Sequence, residues 1–214
     1  MRSGVRKPWL SVAGAPLVVH VLRSFARLDI ARELVLVVHA DDTSRAEQLH
    51  DAFEPLRVTT GGQHRVDSVR AGLAAVSADA ELIAVQDGVR PLVDEALIRR
   101  TCRAAAEMGA AVPVIPVAAT LKEVPSAPEE LERGEGRIAR TVSREGLWEA
   151  QTPQVFHAAL IRRAYDKLTD TDVTDDAQAV ERLGEPVAAV PGSVHNIKVT
   201  TPDDLKLAEL LLRD

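Results

Sequence analysis

The sequence predicts an α/β fold, a Rossmann-like three-layer sandwich with a mostly parallel sheet and a projecting β-hairpin arm, and three observations carry that prediction. First, short apolar runs alternate with segments of helical period, which calls for parallel strands joined by right-handed crossovers. Second, Leu82-Ile83-Ala84-Val85 is apolar at every position and β-branched at two, the pattern of a strand buried on both faces. It stops at Gln86-Asp87-Gly88-Val89-Arg90-Pro91, where Pro91 forbids further ladder bonding and one acid and one base enter a loop. Ligands of open α/β sheets bind at that carboxyl edge. Third, the rhythm breaks between residues 120 and 142, where two short alternating runs are separated by Pro125, Pro128, Gly134 and Gly136. Such a pattern reads as a long hairpin, which gains stability by packing on something such as a second subunit, or else as a mobile surface loop. The chain is expected to form one domain over 1–214, with the arm at about 120–142.

The elements follow in order. Leu17, Val18, Val21, Leu22, Phe25 and Leu28 recur at helical spacing, and Leu34–Val38 is a second buried strand. Asp41-Asp42-Thr43 offers cap chemistry for a helix through His50 and Phe53. A short strand at Arg57–Thr59 enters the loop Thr60-Gly61-Gly62-Gln63-His64, and a helix spans residues 66–76. A helix from Asp94 to Met108 and a strand over residues 111–117 precede the arm. Beyond the arm, Gln151-Thr152-Pro153-Gln154 is a tight segment, followed by helices over residues 158–168 and from the Thr174-Asp175-Asp176 cap to Leu183. A strand over Val187–Val190, the strand-like Asn196–Thr200, and a helix capped by Thr201 and led by Pro202, Asp203 and Asp204 close the chain.

Composition limits the functions open to this fold. The 214 residues are 46% hydrophobic but only 3% aromatic, so the core is aliphatic. A formal charge of −6 argues against a nucleic-acid polymer or an anionic membrane as partner, since either needs a net basic surface. Cys102 is the only cysteine, which excludes a disulfide framework and suits a reducing cytoplasm. No apolar run is long enough to span a bilayer. The six histidines lack ligand spacing, and Asp175-Asp176 reads as a helix start before a metal pair. Trp9 and Trp148 suit packing.

Polar groups gather where strands hand over to loops: Gly61, Gly62 and Ser68; Asp87 and Arg90; Thr120 and Lys122; Arg144; Thr152; Thr174; Lys198. Glycines ahead of a helix make an anion or nucleotide cradle, though Gly-Gly is also an ordinary turn. A strand-end Asp–Arg pair is equally a solvated salt bridge, and Lys198 between Ile197 and Val199 equally an edge lysine with its head in water.

Their order is far more specific. Gly61-Gly62-x-x-Arg65-x-Asp67-Ser68-Val69-x-x-Gly72-Leu73, Asp87-x-x-Arg90-Pro91, Pro116-Val117-x-x-Thr120-Leu121-Lys122, Arg144-x-Gly146-Leu147-Trp148-x-x-Gln151-Thr152-Pro153-Gln154-x-Phe156, Thr174-Asp175-Asp176 and Asn196-Ile197-Lys198-Val199-Thr200-x-Pro202-x-Asp204-Leu205 run from one end of the chain to the other. Together they resemble the 2-C-methyl-D-erythritol 4-phosphate cytidylyltransferases, a branch of the nucleotidyltransferase fold. The resemblance implies transfer of CMP from CTP to methylerythritol phosphate with release of pyrophosphate, in isoprenoid synthesis by the non-mevalonate route. It also implies Mg²⁺ bound mainly through the CTP phosphates, with Asp87 as a candidate ligand. By position, Lys7 neutralises charge near the α-phosphate. Ser68 with Gly61, Gly62 and Asp67 takes the cytidine, and Asp87 contacts nucleotide or acceptor. Arg90 buttresses the loop, and Thr120, Arg144, Thr152, Thr174 and Lys198 surround the acceptor. Arg144 and Lys198 aim the attacking phosphate, Arg144 from the partner of a homodimer joined through the arm.

Two departures accompany the resemblance. The family opens with a central strand and a glycine-rich phosphate loop ahead of the position of Lys7, where only six residues stand here. The reading therefore expects a start upstream of Met1, which a native mass near 23.1 kDa would exclude. Ala119 occupies a position where the family carries an acid that helps bind the acceptor. A ribitol 5-phosphate cytidylyltransferase, or a nucleotide-binding remnant without turnover, thus stands beside the first reading.

Overall fold

The computed structural model describes residues 4–213, so Arg2 of the basic opening lies outside them. Lys7–Trp9 form a 3-10 turn that buries Trp9, and β1 (Ser11–Val12) and β2 (Ala15–Pro16) make a small hairpin. Helix α1 (Leu17–Ala26) buries the apolar stripe read from the sequence. Strands β3 (Leu34–Val38) and β4 (Leu56–Thr60) pair in parallel. Between them α2 (Thr43–Glu47) is shorter than expected, and the chain leaves helical backbone at Phe53, at φ −140° and ψ 90°, to bury that ring. Then come α3 (Arg65–Ala75), β5 (Leu82–Val85), α4 (Glu95–Met108) and β6 (Ala110–Pro116). Helix α4 is set at both ends: the Asp94 carboxylate accepts the Leu97 N–H at 2.6 Å, and Gly109 leaves the helix at φ +89°.

The arm exists as a hairpin of β7 (Leu121–Glu123) and β8 (Arg140–Val142), paired antiparallel, with the short α5 (Pro128–Glu132) in its tip. Beyond it lie β9 (Trp148–Ala150), β10 (Gln154–His157), α6 (Ala158–Lys167), α7 (Asp176–Glu181), β11 (Ala188–Pro191) and α8 (Pro202–Leu211).

The main sheet runs β11-β6-β10-β5, with β9 also on β6. Strand β11 is parallel to β6, but β10 lies antiparallel to both β5 and β6, which it separates. The sheet is therefore mixed, not mostly parallel, because the chain returning from the arm re-enters it between two parallel strands. Strand β10 escaped the sequence reading because Gln154 and His157 flank its two apolar residues, Val155 and Phe156, both fully buried. Phe156 packs with Ile83, Ile161 and Tyr165 on one face, and Val155 with Ala105 and Ala111 on the other, which gives helices on both faces of this sheet. Among the described residues β3 and β4 form a separate two-stranded sheet, and β5 pairs only with β10. Ile83 is buried against α6 on one face and Leu82 packs with Ala105 and Val155 on the other, while Ala84 is exposed, so both faces of β5 are covered but the second only in part. The segment 196–200 is not a strand; it is tied to the body where Val199 N–H donates to Val89 O at 2.9 Å. Among the described residues no helix is long and apolar enough to cross a membrane.

Helix α8 begins with the capping box expected from sequence. The Asp204 carboxylate accepts N–H bonds from Thr200 and Thr201, both at 2.8 Å, and these hold its pKa down at about 2. A depressed carboxylate stabilises the fold above its unfolded pKa and loses that contribution as pH falls through the folded value. Asp204→Asn is thus expected to lower the melting temperature at neutral pH, with the gap to the parent closing as pH falls from 3.8 toward about 2. Thermal melts across that range check it.

Candidate active site

The carboxyl ends of β5, β6 and β11 and the amino end of β10 meet at one edge of the sheet, where Gln154 lies opposite Val85. Asp87 enters this edge two residues past β5. Its backbone N–H donates to Thr152 Oγ1 at 3.1 Å, and its Oδ2 lies 3.0 Å from Lys198 Nζ and 3.4 Å from Arg90 Nε. Arg90 is 8% exposed and donates from Nη1 to Asn196 O at 2.7 Å, while Asn196 Nδ2 donates to Thr152 O at 2.8 Å. Burial draws the Arg90 guanidinium below its ordinary pKa, opposed by the charge of Asp87. Residues 87–90, 151–154 and 196–199, distant in sequence, thus close a ring. Gln151 locks it, its side-chain amide exchanging bonds of 2.8 and 3.1 Å with the backbone of Ser193.

The aim of Lys198 follows from its neighbours. Val199 is fully buried and Ile197 half-buried, and in extended backbone successive side chains point oppositely, so Lys198 turns outward onto Asp87. Lys7 lies beside the same loop: a Cβ on Gly88 would stand 3.9 Å from Pro8 Cβ. Arg6, paired with Asp41 at 2.5 Å and Asp42 at 3.2 Å, and Arg45, 4.5 Å above the Trp9 ring, anchor the segment on either side of Lys7. Among the described residues the Lys7 ammonium makes no hydrogen bond or ion pair.

A second group forms where β4 ends. Gly61 N–H donates to Val38 O at 2.8 Å, and the two glycines then pass against the first turn of α3. A Cβ on Gly61 would meet Ser68 Oγ at 2.5 Å, and one on Gly62 would meet Asp67 Cβ at 2.3 Å, so both positions need glycine for close approach. Asp67 Oδ2 accepts the His64 N–H and Ser68 Oγ donates to His64 O, which fixes the turn. Because Asp67 Cβ is the root of its side chain and cannot swing away, Gly62→Ala is expected to displace the loop. It should lower the melting temperature relative to the parent, which thermal melts check.

Thr174 is exposed at the head of α7, its N–H bonded to Gln178 Oε1 at 2.7 Å. Gln154 fixes that turn: 1% exposed, it accepts the N–H groups of Asp176 and Ala177 at 3.0 and 2.9 Å and donates to Asp175 Oδ2 at 2.9 Å. Thr120, at the foot of the arm, and Arg144, just beyond it, stand apart. Arg144 Nη1 bonds to Ala118 O beside an open groove of about 730 Å³ lined by Pro116, Ser143, Gly146 and Trp148. Among the described residues no hydrogen bond or ion pair joins either to the Asp87 ring. Within one protomer, then, Asp87, Arg90, Thr152 and Lys198 converge with Lys7 at their side, and Gly61, Gly62, Asp67 and Ser68 converge separately. Thr174 is tied to the same strand end through Gln154, and Thr120 and Arg144 are not brought in. Gln151, Gln154 and Asn196 were not assigned from sequence, where the available signal was three amides beside strand ends.

Among the described residues no three His, Cys, Asp or Glu side chains are grouped to hold a metal. Asp87 is the one carboxylate in the ring; its Oδ2 is shared by two cations, and among the described residues Oδ1 takes no hydrogen bond. That donor set fits a Mg²⁺ carried by substrate phosphates, which needs one or two protein carboxylates, and does not fit an all-protein cage.

A sequence profile of the family described as 2-C-methyl-D-erythritol 4-phosphate cytidylyltransferase (IspD) matches residues 1–214. A protein of that name from Syntrophus aciditrophicus is 41% identical over 219 residues, which span 100% of this chain and 90% of that protein. The crystal structure of 2-C-methyl-D-erythritol 4-phosphate cytidylyltransferase from Thermus thermophilus is 36% identical and matches with a TM-score of 0.79 over 99% of this chain and 96% of its own. That of a 4-diphosphocytidyl-2C-methyl-D-erythritol synthase is 34% identical, with a TM-score of 0.84 over 96% and 94%. Because the match covers the whole chain in sequence and nearly all of it in fold, the chain belongs to the 2-C-methyl-D-erythritol 4-phosphate cytidylyltransferase family.

Proposed function

We propose that the ring around Asp87 is where this chain transfers CMP from CTP to 2-C-methyl-D-erythritol 4-phosphate, releasing pyrophosphate. The observation that carries the reading is the meeting of Asp87 with Lys198 and Arg90 at the carboxyl edge of the sheet, beside the unpaired Lys7. Two cations against one carboxylate leave this edge positive toward a phosphorylated reactant.

The acceptor phosphate oxygen attacks the α-phosphorus in line with the leaving pyrophosphate, forming one P–O bond as the other breaks, without a covalent enzyme intermediate. Charge on the α-phosphoryl oxygens makes positioning and cationic stabilisation the protein's task. Lys7 faces that charge, and Lys198 aims the acceptor phosphate. Gly61, Gly62, Asp67 and Ser68 hold the cytidine. Asp87, braced by Arg90, holds hydroxyls, and Thr152 and Thr174 flank the acceptor. Asp87 would be the protein ligand of a Mg²⁺ that arrives with the triphosphate, and the ion would supply charge neutralisation there. The chain acts in the cytoplasm.

Thr120 and Arg144 complete the acceptor site of the partner protomer in a homodimer. Leu131 (52%) and Ile138 (62%) stand exposed on the arm and Trp148 (56%) on β9 beyond it, apolar surface that an exchanged arm would cover. Mixing inactive Arg144→Ala with inactive Lys198→Ala protein is expected to restore about a quarter of parental activity, since half the dimers then carry one intact site of two. No recovery would place Arg144 in its own protomer's site.

The direct test is pyrophosphate release from CTP with either methylerythritol phosphate or ribitol 5-phosphate. Turnover with the first, and at least tenfold less with the second, is expected; the reverse order would make Ala119 the mark of a different acceptor, and CTP binding without turnover would end the reading.

A further inference from the structure

Asp176 is fully buried, yet it holds a bidentate ion pair. Arg65 Nη1 donates to its Oδ1 at 2.9 Å and Nη2 to its Oδ2 at 2.5 Å, Tyr165 Oη donates to Oδ1 at 2.5 Å, and its own N–H is held by Gln154. None of these residues has a role in the mechanism above. A buried ion pair contributes little net stability against well-packed apolar groups, because desolvation cancels most of the attraction. What a bidentate guanidinium–carboxylate pair supplies is a fixed distance and orientation between the elements that carry it.

The elements it fixes are the two that flank the cleft. Arg65 is the first residue of α3, and Ser68 follows one turn later behind the Gly61-Gly62 loop. Asp176 is the first residue of α7, and Thr174 stands two residues before it. Arg65 and Asp176 lie 111 residues apart in sequence. The guanidinium is not sealed away: the Arg65 side chain is 36% exposed, and the charge of Asp87 reaches it. The pair therefore spans from the nucleotide turn to the acceptor turn, with the Asp87 ring alongside.

We propose that Arg65 and Asp176 are positioning residues that set the spacing between the cytidine-binding turn and the acceptor-binding turn, so that both reactants are held in one reactive geometry. This rests on the assignment of Ser68 to CTP and Thr174 to the acceptor. Neither Arg65 nor Asp176 touches a reacting atom; each acts through the helix whose first turn it anchors. Burial and the neighbouring Asp176 push the Tyr165 phenol well above its ordinary pKa, so it remains a donor throughout the working pH range.

The test uses the Arg65→Gln/Asp176→Asn double variant, which removes both charges together and leaves neither stranded in the interior. Misplacement of this kind is expected to raise the KM for CTP and the KM for the acceptor each about tenfold and, because the two reactants lose their fixed separation, to lower kcat as well. Arg65→Lys keeps the charge but not the fork and should raise both KM values by a smaller factor; it supplies the same readout should the double variant prove insoluble. Tyr165→Phe is the control for stability alone: it removes one bond to Asp176, should lower the melting temperature, and should leave both KM values at parental level. The proposal is overturned if the soluble variants keep both KM values within about twofold of the parent, or if only one of the two rises. It is equally overturned if Tyr165→Phe raises both in step with its loss of melting temperature. Were the substrate assignment itself wrong, Ser68→Ala and Thr174→Val would leave the KM for CTP and for acceptor unmoved; with the assignment right and the bridge idle, those two variants are impaired while the double variant is normal.

Discussion

Lys198→Met is expected to lower kcat by about 10²–10³, roughly 3–4 kcal/mol of transition-state stabilisation, the loss that follows removal of one preorganised donor from developing charge. The ammonium lies 3.0 Å from Asp87 Oδ2 at the cleft, so with Lys198 in its proposed role its removal takes a cation from the acceptor phosphate, and it leaves Asp87 to Arg90 alone. Methionine preserves length and apolar stem, and the half-exposed ion pair contributes only about 0–1 kcal/mol to folding, so the melting temperature should barely move. Lys198→Arg should recover part of the rate, because the charge returns with a different reach. Pyrophosphate release under saturating CTP and acceptor measures both. A variant within threefold of the parent would remove Lys198 from the mechanism, whatever the remaining residues do.

The second large effect is on stability. Gln154→Leu keeps the volume of the side chain but strips the acceptor from the N–H groups of Asp176 and Ala177 and the donor from Asp175, at a residue 1% exposed. Buried backbone donors left unpaired cost about 1–3 kcal/mol each, so a loss of about 3–5 kcal/mol is expected, a fall of roughly 10 °C in a chain of this size. The damage should centre on the start of α7, so with Thr174 in its proposed place at the acceptor the KM for acceptor should rise while the KM for CTP stays nearer the parent. Gln154→Glu separates the parts: it restores the acceptor but sets a second carboxylate against Asp175, so its stability should recover as pH falls and one carboxyl protonates. A leucine variant melting within about 3 °C of the parent would show that water takes over the two donors.

Much of the molecule was legible because it is decided over a few residues. Glycine at Gly61 and Gly62 and the caps at Asp94 and Thr201 act on backbone within one turn of their own position, so the loop before α3 and the starts of α4 and α8 follow from local sterics and hydrogen bonding. The arm was readable for the same reason, from alternation interrupted by Pro and Gly, although the short α5 in its tip was not.

The tertiary structure decided what depends on neighbours remote in sequence. Strand β10 lies in the sheet interior although it begins with Gln154, because that polar side chain finds all its partners on α7 once the fold has formed. Segment 196–200 has the composition of a strand but no strand to pair with; its alternation is used instead to bury Val199 and turn Lys198 onto Asp87. The sheet is mixed, because strand direction depends on where the chain re-enters after the arm, a choice that side-chain periodicity does not encode. The sequence by itself supplied the charged and polar groups at strand ends and the turns that expose them. Which of them meet, as Asp87 with Lys198 and Arg65 with Asp176, was set only by sheet order and strand direction, since an ion pair needs its partners within a few ångströms and sequence separation places no bound on that distance.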